Sequence, residues 1–162
     1  MNDALASCRN QPQRDVAAGQ IVLTEGGASG EMLVLAAGAV EVLKGDVQVA
    51  VVEEPGAFFG EIAVLLGRPH SATVKTLEAS RFYVIDEPQR FLAEHPEVAL
   101  GLARLLARRL HAMTTYLADI RRQFADQAGN LGIIDAVLET LAHDQAEGGV
   151  LVSERDPGTD VD

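Results

Sequence analysis

The chain reads as an α+β protein, an antiparallel β-roll of the jelly-roll kind followed by C-terminal helices. Two observations predict the roll: short β-rich segments fill residues 15 to 86, and glycine clusters separate them at close, even spacing. A third predicts the helices. Beyond residue 86, proline twice follows directly on a polar or charged residue, and the second instance opens a long stretch of helical apolar spacing.

The elements follow in order. Residues 1–14 are polar with a short Ala/Leu stretch and are expected to form a partly helical lead-in. Strands are predicted at Gln20–Thr24, Met32–Ala37, Ala39–Leu43, Val47–Val52, Ala72–Leu77 and Arg81–Ile85. The turns between them are Gly26-Gly27-Ala28-Ser29-Gly30, Gly38, Gly45-Asp46 and Pro55-Gly56. A brief helix is expected over Pro88–Glu94, since proline in a first turn gives up an N–H that has no partner there anyway. A second runs from Pro96 to about Asp126, where Leu106, Leu110, Met113, Leu117, Ile120 and Phe124 recur at alternating four- and three-residue steps. That is an a/d seam of a parallel coiled-coil dimer; the same spacing also suits a single amphipathic helix packed on its own roll. Gly129-Asn130 stops the helix, and Leu131, Ile134, Val137, Leu138 and Leu141 resume an apolar stripe to about Gln145. The expected organisation is therefore a lead-in over 1–14, a roll over 15–95, helices over 96–147 and a disordered acidic tail over 148–162.

Composition narrows the function. A formal charge of −11 repels polyanions, which argues against unaided binding to DNA or RNA. A local anion site survives such a field, because screening confines it to a few ångströms. Apolar residues make up 48% of the chain, but with no Trp, five Phe and two Tyr, small aliphatic side chains must fill the core. One cysteine, Cys8, excludes an internal disulfide, suits a reducing compartment and reads as an inert thiol in an N-terminal helix. Apolar runs fall far short of the ~20 residues that span a bilayer. The N-terminus has no basic start or long apolar core of a signal peptide, so a cytoplasmic location is expected.

The most informative run is Phe59-Gly60-Glu61-Ile62-Ala63-Val64-Leu65-Leu66-Gly67-Arg68-Pro69-His70-Ser71-Ala72-Thr73-Val74. Gly60 lets backbone approach a ligand, having no Cβ to collide. Free amides of a short helix starting near Glu61 would face an anion, and successive amides around Ser71 and Ala72 would complete a concave nest. Glu61 repels phosphate, so its natural use is to accept hydrogen bonds from ribose hydroxyls. Together these groups suit a small phosphorylated sugar.

This run resembles the phosphate-binding cassette of the cyclic nucleotide-binding domain family, whose pattern is roughly Phe-Gly-Glu-x-Ala-Leu, a short Gly-containing linker, then Pro-Arg-x-Ala-Thr-Val. Gly60, Glu61, Ala63, Gly67, Pro69, Ala72, Thr73 and Val74 fall in place across residues 59–74. The likeness extends to Gly30 and to Gly38-Ala39-Val40-Glu41-Val42, which look like the family's opening hairpins. The resemblance implies that Gly60 and Glu61 bind the ribose 2′-hydroxyl and that the backbone of Ile62, Ala63, Ser71 and Ala72 surrounds the cyclic phosphate. It also implies that Thr73 lies near the base, where a Thr or Ser favours guanine in some members. One position departs from the pattern: His70 stands where the family usually has the arginine that pairs with phosphate. Neutral His offers one donor where Arg presents a charged planar fork, and Arg68 is the candidate to compensate.

Ala107-Arg108-Arg109-Leu110 followed by Met113-Thr114-Thr115 is similar to the dimer helix of the catabolite activator group, in which a Thr-Ser pair contacts adenine. Met113 and Thr114 occupy that pair, so Thr114 would reach a base from a partner chain, while Met113 has no hydroxyl. No second recognition helix follows, so the group's DNA-reading half is not expected. The sequence thus implies a stand-alone sensor for cyclic AMP or cyclic GMP, homodimeric through helix 96–126 and acting on an unknown effector protein. The alternative is a degenerate roll serving as a protein–protein interaction module without ligand. His70, His95, His111 and His143 are scattered with no metal-ligand spacing or nucleophile–base pairing, so neither metal nor catalysis is expected.

Overall fold

The computed structural model describes residues 2–124 and 131–147. Eight antiparallel strands form two four-stranded sheets, packed as a β-roll. In chain order they are β1 (Gln13–Val16), β2 (Ile21–Leu23), β3 (Met32–Ala37), β4 (Val40–Lys44), β5 (Val47–Val52), β6 (Phe58–Phe59), β7 (Thr73–Thr76) and β8 (Ser80–Ile85). One sheet has the order β1-β8-β3-β6 and the other β2-β7-β4-β5. Consecutive strands thus alternate between sheets, apart from the β4–β5 hairpin. The helices are α1 (Asn2–Ser7), α2 (Glu61–Leu66), α3 (Pro88–Glu94), α4 (Pro96–Gln123) and α5 (Leu131–Glu147).

Two strands go beyond the six expected. β1 reads Gln-Arg-Asp-Val, and its charges answer partners across the sheet: Arg81 Nε donates to Asp15 at 2.6 Å, and Arg14 Nη2 to Glu31 at 2.8 Å. An edge strand held by such ion pairs shows no apolar alternation to find. β6 is two buried phenylalanines, too short to carry a period. The expected strands all form, with ends displaced by a residue or so; α3 has the limits expected of it.

Small aliphatics do fill the roll. Leu23, Leu33, Leu35, Val40, Val74 and Val84 pack with Phe59 and Phe82, whose rings meet edge-to-face at 6.4 Å. Met32, Leu33, Val34 and Leu35 are all fully buried, so both faces of β3 are covered, because successive strand residues point to opposite sides. Ala4, Cys8, Phe91, Val98 and Leu102, from the helical segments flanking the roll, are also buried. Burial pushes the Cys8 thiol up to about 11, so it stays protonated and unreactive at neutral pH.

The chain divides into two compact units, Met1–Leu105 and the remainder from Leu106. α4 begins in the first, where it buries Val98 and Leu102. In the second, its predicted seam is half-buried at Leu106, Leu117 and Ile120 and exposed at Leu110, Met113 and Phe124. Arg121 of α4 pairs with Asp135 of α5 at 2.9 Å. The expected end of α4 near Asp126, the Gly129-Asn130 stop and the acidic tail 148–162 lie outside the described residues. No described helix is long and apolar enough to cross a membrane.

Candidate nucleotide-binding cassette

The candidate site begins where β6 ends. Gly60 turns the chain with φ 82° and ψ 0°, a left-handed conformation that places it at the N-cap of α2. Its missing side chain matters as much as its backbone. A methyl group there would sit 2.9 Å from the Glu31 carbonyl oxygen and 3.5 Å from His70 Cε1. The first helical bond of α2 runs from Val64 N–H to Gly60 O at 3.1 Å. By helix geometry the amides of Ile62 and Ala63 precede that ladder and have no intrahelical acceptor. Glu61 is buried at 5% exposure, whereas Ile62 is exposed and Ala63 half-buried. Gly67, again left-handed, closes α2 with its N–H on Ala63 O, and the exposed pair Arg68-Pro69 leads to His70.

His70 is buried at 5% exposure and ties the cassette to the β2–β3 loop. Its N–H donates to Gly27 O at 2.8 Å, and its carbonyl accepts Gly26 N–H at 2.8 Å. Ring Nε2 lies 2.9 Å from Ser29 Oγ and accepts the Ser29 backbone N–H at 3.4 Å. An accepting Nε2 assigns the proton of the neutral ring to Nδ1. Nδ1 is buried and has no hydrogen-bond partner. Leaving a buried donor unmet costs roughly 1–3 kcal/mol, so this ring holds a donor in want of an acceptor, beside the glycine that opens the cassette.

A second knot lies at the far end. Lys44 Nζ donates to Ser71 O at 2.7 Å and to Glu25 Oε1 at 2.6 Å. Glu25 Oε2 accepts Gly45 N–H at 2.8 Å, and the Glu25 amide donates to Thr73 Oγ1 at 2.9 Å. The β2–β3 loop, the β4–β5 hairpin and the cassette are thus fastened at one carboxylate. Hydrogen bonding from Lys44 and then Gly45 holds that carboxylate below its usual range.

The cassette residues read from the sequence, Gly60, Glu61, Ile62, Ala63, Arg68, His70, Ser71 and Ala72, lie on one continuous turn–helix–turn between β6 and β7, and Thr73 opens β7. Ser71 is exposed, Ala72 and Thr73 are half-buried, and the Thr73 hydroxyl is occupied by the Glu25 amide. Thr114 belongs to the second unit, where its hydroxyl donates to Leu110 O at 2.9 Å. Sequence reasoning missed Ser29, Glu25 and Lys44. The Gly26–Gly30 cluster signalled a turn, but nothing in it signalled that the turn walls a site. Among the described residues, no group of three or more His, Cys, Asp or Glu could hold a metal ion.

Comparison with known proteins identifies the family of this fold. The cyclic nucleotide-binding domain family matches residues 13–93, half of the 162-residue chain. The chain belongs to that family. This cyclic nucleotide-binding domain is 26% identical over 153 residues to the cAMP-dependent protein kinase regulatory subunit of Blastocladiella emersonii. The match takes in 90% of the present chain but 35% of that protein, so the domain spans about a third of the curated relative's length. Among solved structures, one from a cyclic-GMP-dependent signalling pathway regulating bacterial phytopathogenesis superimposes with TM-score 0.59 and 26% identity. It covers 68% of this domain and 94% of that chain. The Thermus thermophilus catabolite activator protein shares the fold at TM-score 0.64 and 20% identity, over 92% of this domain and 84% of that chain.

Proposed function

We propose that this domain is a non-catalytic cytoplasmic sensor that binds cyclic AMP or cyclic GMP in the cassette and signals through its C-terminal helices. The observation that carries the reading is the buried Nδ1 of His70, which has no hydrogen-bond partner, beside the left-handed Gly60. A phosphate oxygen would satisfy that donor, while the amides of Ile62, Ala63, Ser71 and Ala72 would surround the remaining oxygens. Glu61 would accept from the ribose 2′-hydroxyl, with Gly60 giving the sugar room. Thr73 and, from a partner chain, Thr114 are the candidates to meet the base, and Arg68 is a further candidate cation.

Output requires a ligand that binds one arrangement of the helices better than another. We assign that role to the helices from Pro96 onward, with α4 as homodimer seam and an effector protein reading the result. The signal would pass through protein contacts, without membrane or direct DNA binding.

Parallel calorimetric titrations with cyclic AMP, cyclic GMP and their linear monophosphates test the reading. A saturable preference for a cyclic form is expected, and the ratio between bases identifies the purine. His70→Ala should weaken binding about tenfold, the worth of one satisfied buried donor. Failure of both cyclic nucleotides to bind or to raise the melting temperature would favour the alternative, an interaction module on a degenerate roll.

A further inference from the structure

The cassette has histidine where the family pattern has arginine, and an imidazole lacks the permanently charged planar fork of a guanidinium. A cation nevertheless reaches the same backbone. Lys44 Nζ donates to the carbonyl oxygen of Ser71 at 2.7 Å, from the end of a different strand. That oxygen and the N–H of Ala72 belong to one peptide unit, whose two polar ends point in opposite directions. The ammonium therefore sits at the carbonyl end of the peptide that carries the Ala72 amide. A positive charge there polarises the peptide and makes its N–H a stronger donor toward an anion on the other side. We propose that Lys44 is the electrostatic positioning residue of the anion site, acting through the Ser71–Ala72 peptide in place of the absent arginine. Glu25 is its counter-charge and restrains its strength.

The site is built for this and not merely decorated by a surface lysine. Glu25 is locked by the Gly45 amide as well as by Lys44, and its own amide holds Thr73 Oγ1, so the ammonium is directed onto the cassette from a fixed base. Lys44 is more than half exposed, so replacing it removes little packing. The ligand this serves is the phosphate of the nucleotide proposed above.

The inference rests on the nucleotide reading, and one experiment separates their failures. Cyclic AMP and cyclic GMP are titrated calorimetrically into the full chain as wild type, Lys44→Met, Lys44→Arg and Glu25→Gln, each at low and high salt. Lys44→Met should weaken binding roughly five- to tenfold and flatten its salt dependence, a charge-assisted bond discounted for exposure. Lys44→Arg should restore both, and Glu25→Gln should tighten binding. A wild type that binds neither nucleotide overturns the nucleotide reading and this inference with it. A wild type that binds, with Lys44→Met within about twofold of it at both salts, overturns this inference alone. Should Lys44→Met fail to fold, Glu25→Gln decides, and an affinity unchanged or weakened by it overturns the proposal.

Discussion

At Gly60, two separate constraints converge on a residue with no side chain. Its φ of 82° is a conformation in which a Cβ crowds the following carbonyl, at about 1–2 kcal/mol for an ordinary residue. The space beside it is closed as well, by the Glu31 carbonyl at 2.9 Å from where a methyl would stand. The oxygen is backbone, so no rotamer change relieves the contact. Gly60→Ala should therefore destabilise the fold by about 2 kcal/mol or more, read as a lower urea midpoint with an unchanged slope. Nucleotide affinity should fall with it, since the displaced backbone carries the cassette's first amides. Alanine with wild-type stability would mean that the turn relaxes without cost. His70 is the complementary case at this scale. Its ring is held by Ser29, so what it offers a ligand is fixed in place before any ligand arrives.

Among the elements, the β2–β3 loop, the β4–β5 hairpin and the cassette share a single fastening at Glu25. Its carboxylate is held below the usual range by Lys44 and then Gly45, and Asp15 is lowered in the same sense, first by its hydrogen bond from Arg81. A lowered folded-state value means that the folded protein binds fewer protons than the unfolded chain through the carboxylate range. The stabilisation is then present above the ordinary carboxylate range and is lost as pH falls through the folded-state value. Denaturant melts near neutrality and in the acid range should show stability dropping on acidification. Glu25→Gln should shrink that drop while lowering stability near neutrality. An acid response identical in wild type and variant would show that the clasp contributes nothing to the linkage. Both groups are solvent-exposed pairs, so high salt should also reduce the effect.

For the molecule as a whole, the proposed homodimer has to overcome the repulsion between two strongly acidic chains. A formal charge of −11 opposes any close pairing. Along α4 the compensation would come from Leu110 at 39% and Met113 at 62% exposure on one heptad line, with Phe124 at 39% just past its end. These side chains gain by leaving water, at about 25 cal/mol per Å² of apolar surface removed. The arginines of α4, among them Arg104, Arg108, Arg121 and Arg122, lie on the same helix and soften the repulsion. Sedimentation equilibrium should find a dimer that the double substitution Leu110→Glu and Leu117→Glu converts to monomer, with the β-roll signal in circular dichroism retained. A wild type monomeric at micromolar concentration would leave α4 as a single amphipathic helix.

Much of this protein is local, and local features are legible. The strands β2, β3, β4, β5, β7 and β8, the proline-started α3 and α4, and the turn–helix–turn across residues 59–74 all follow from residue order, because period, turn chemistry and helix starts act over a few neighbours. β1 escaped because its stabilisation comes from ion pairs reaching Glu31 and Arg81, and β6 because two residues define no period. The sequence by itself determined the family, the turn–helix–turn across residues 59–74 and that histidine stands where arginine is usual. Only the tertiary structure decided that Ser29, 41 positions away, would hold that histidine, and that Lys44, 27 positions away, would reach the cassette backbone. The physical reason is loop closure: such pairs are made by the topology of the roll, and neither partner carries any mark of the other along the chain.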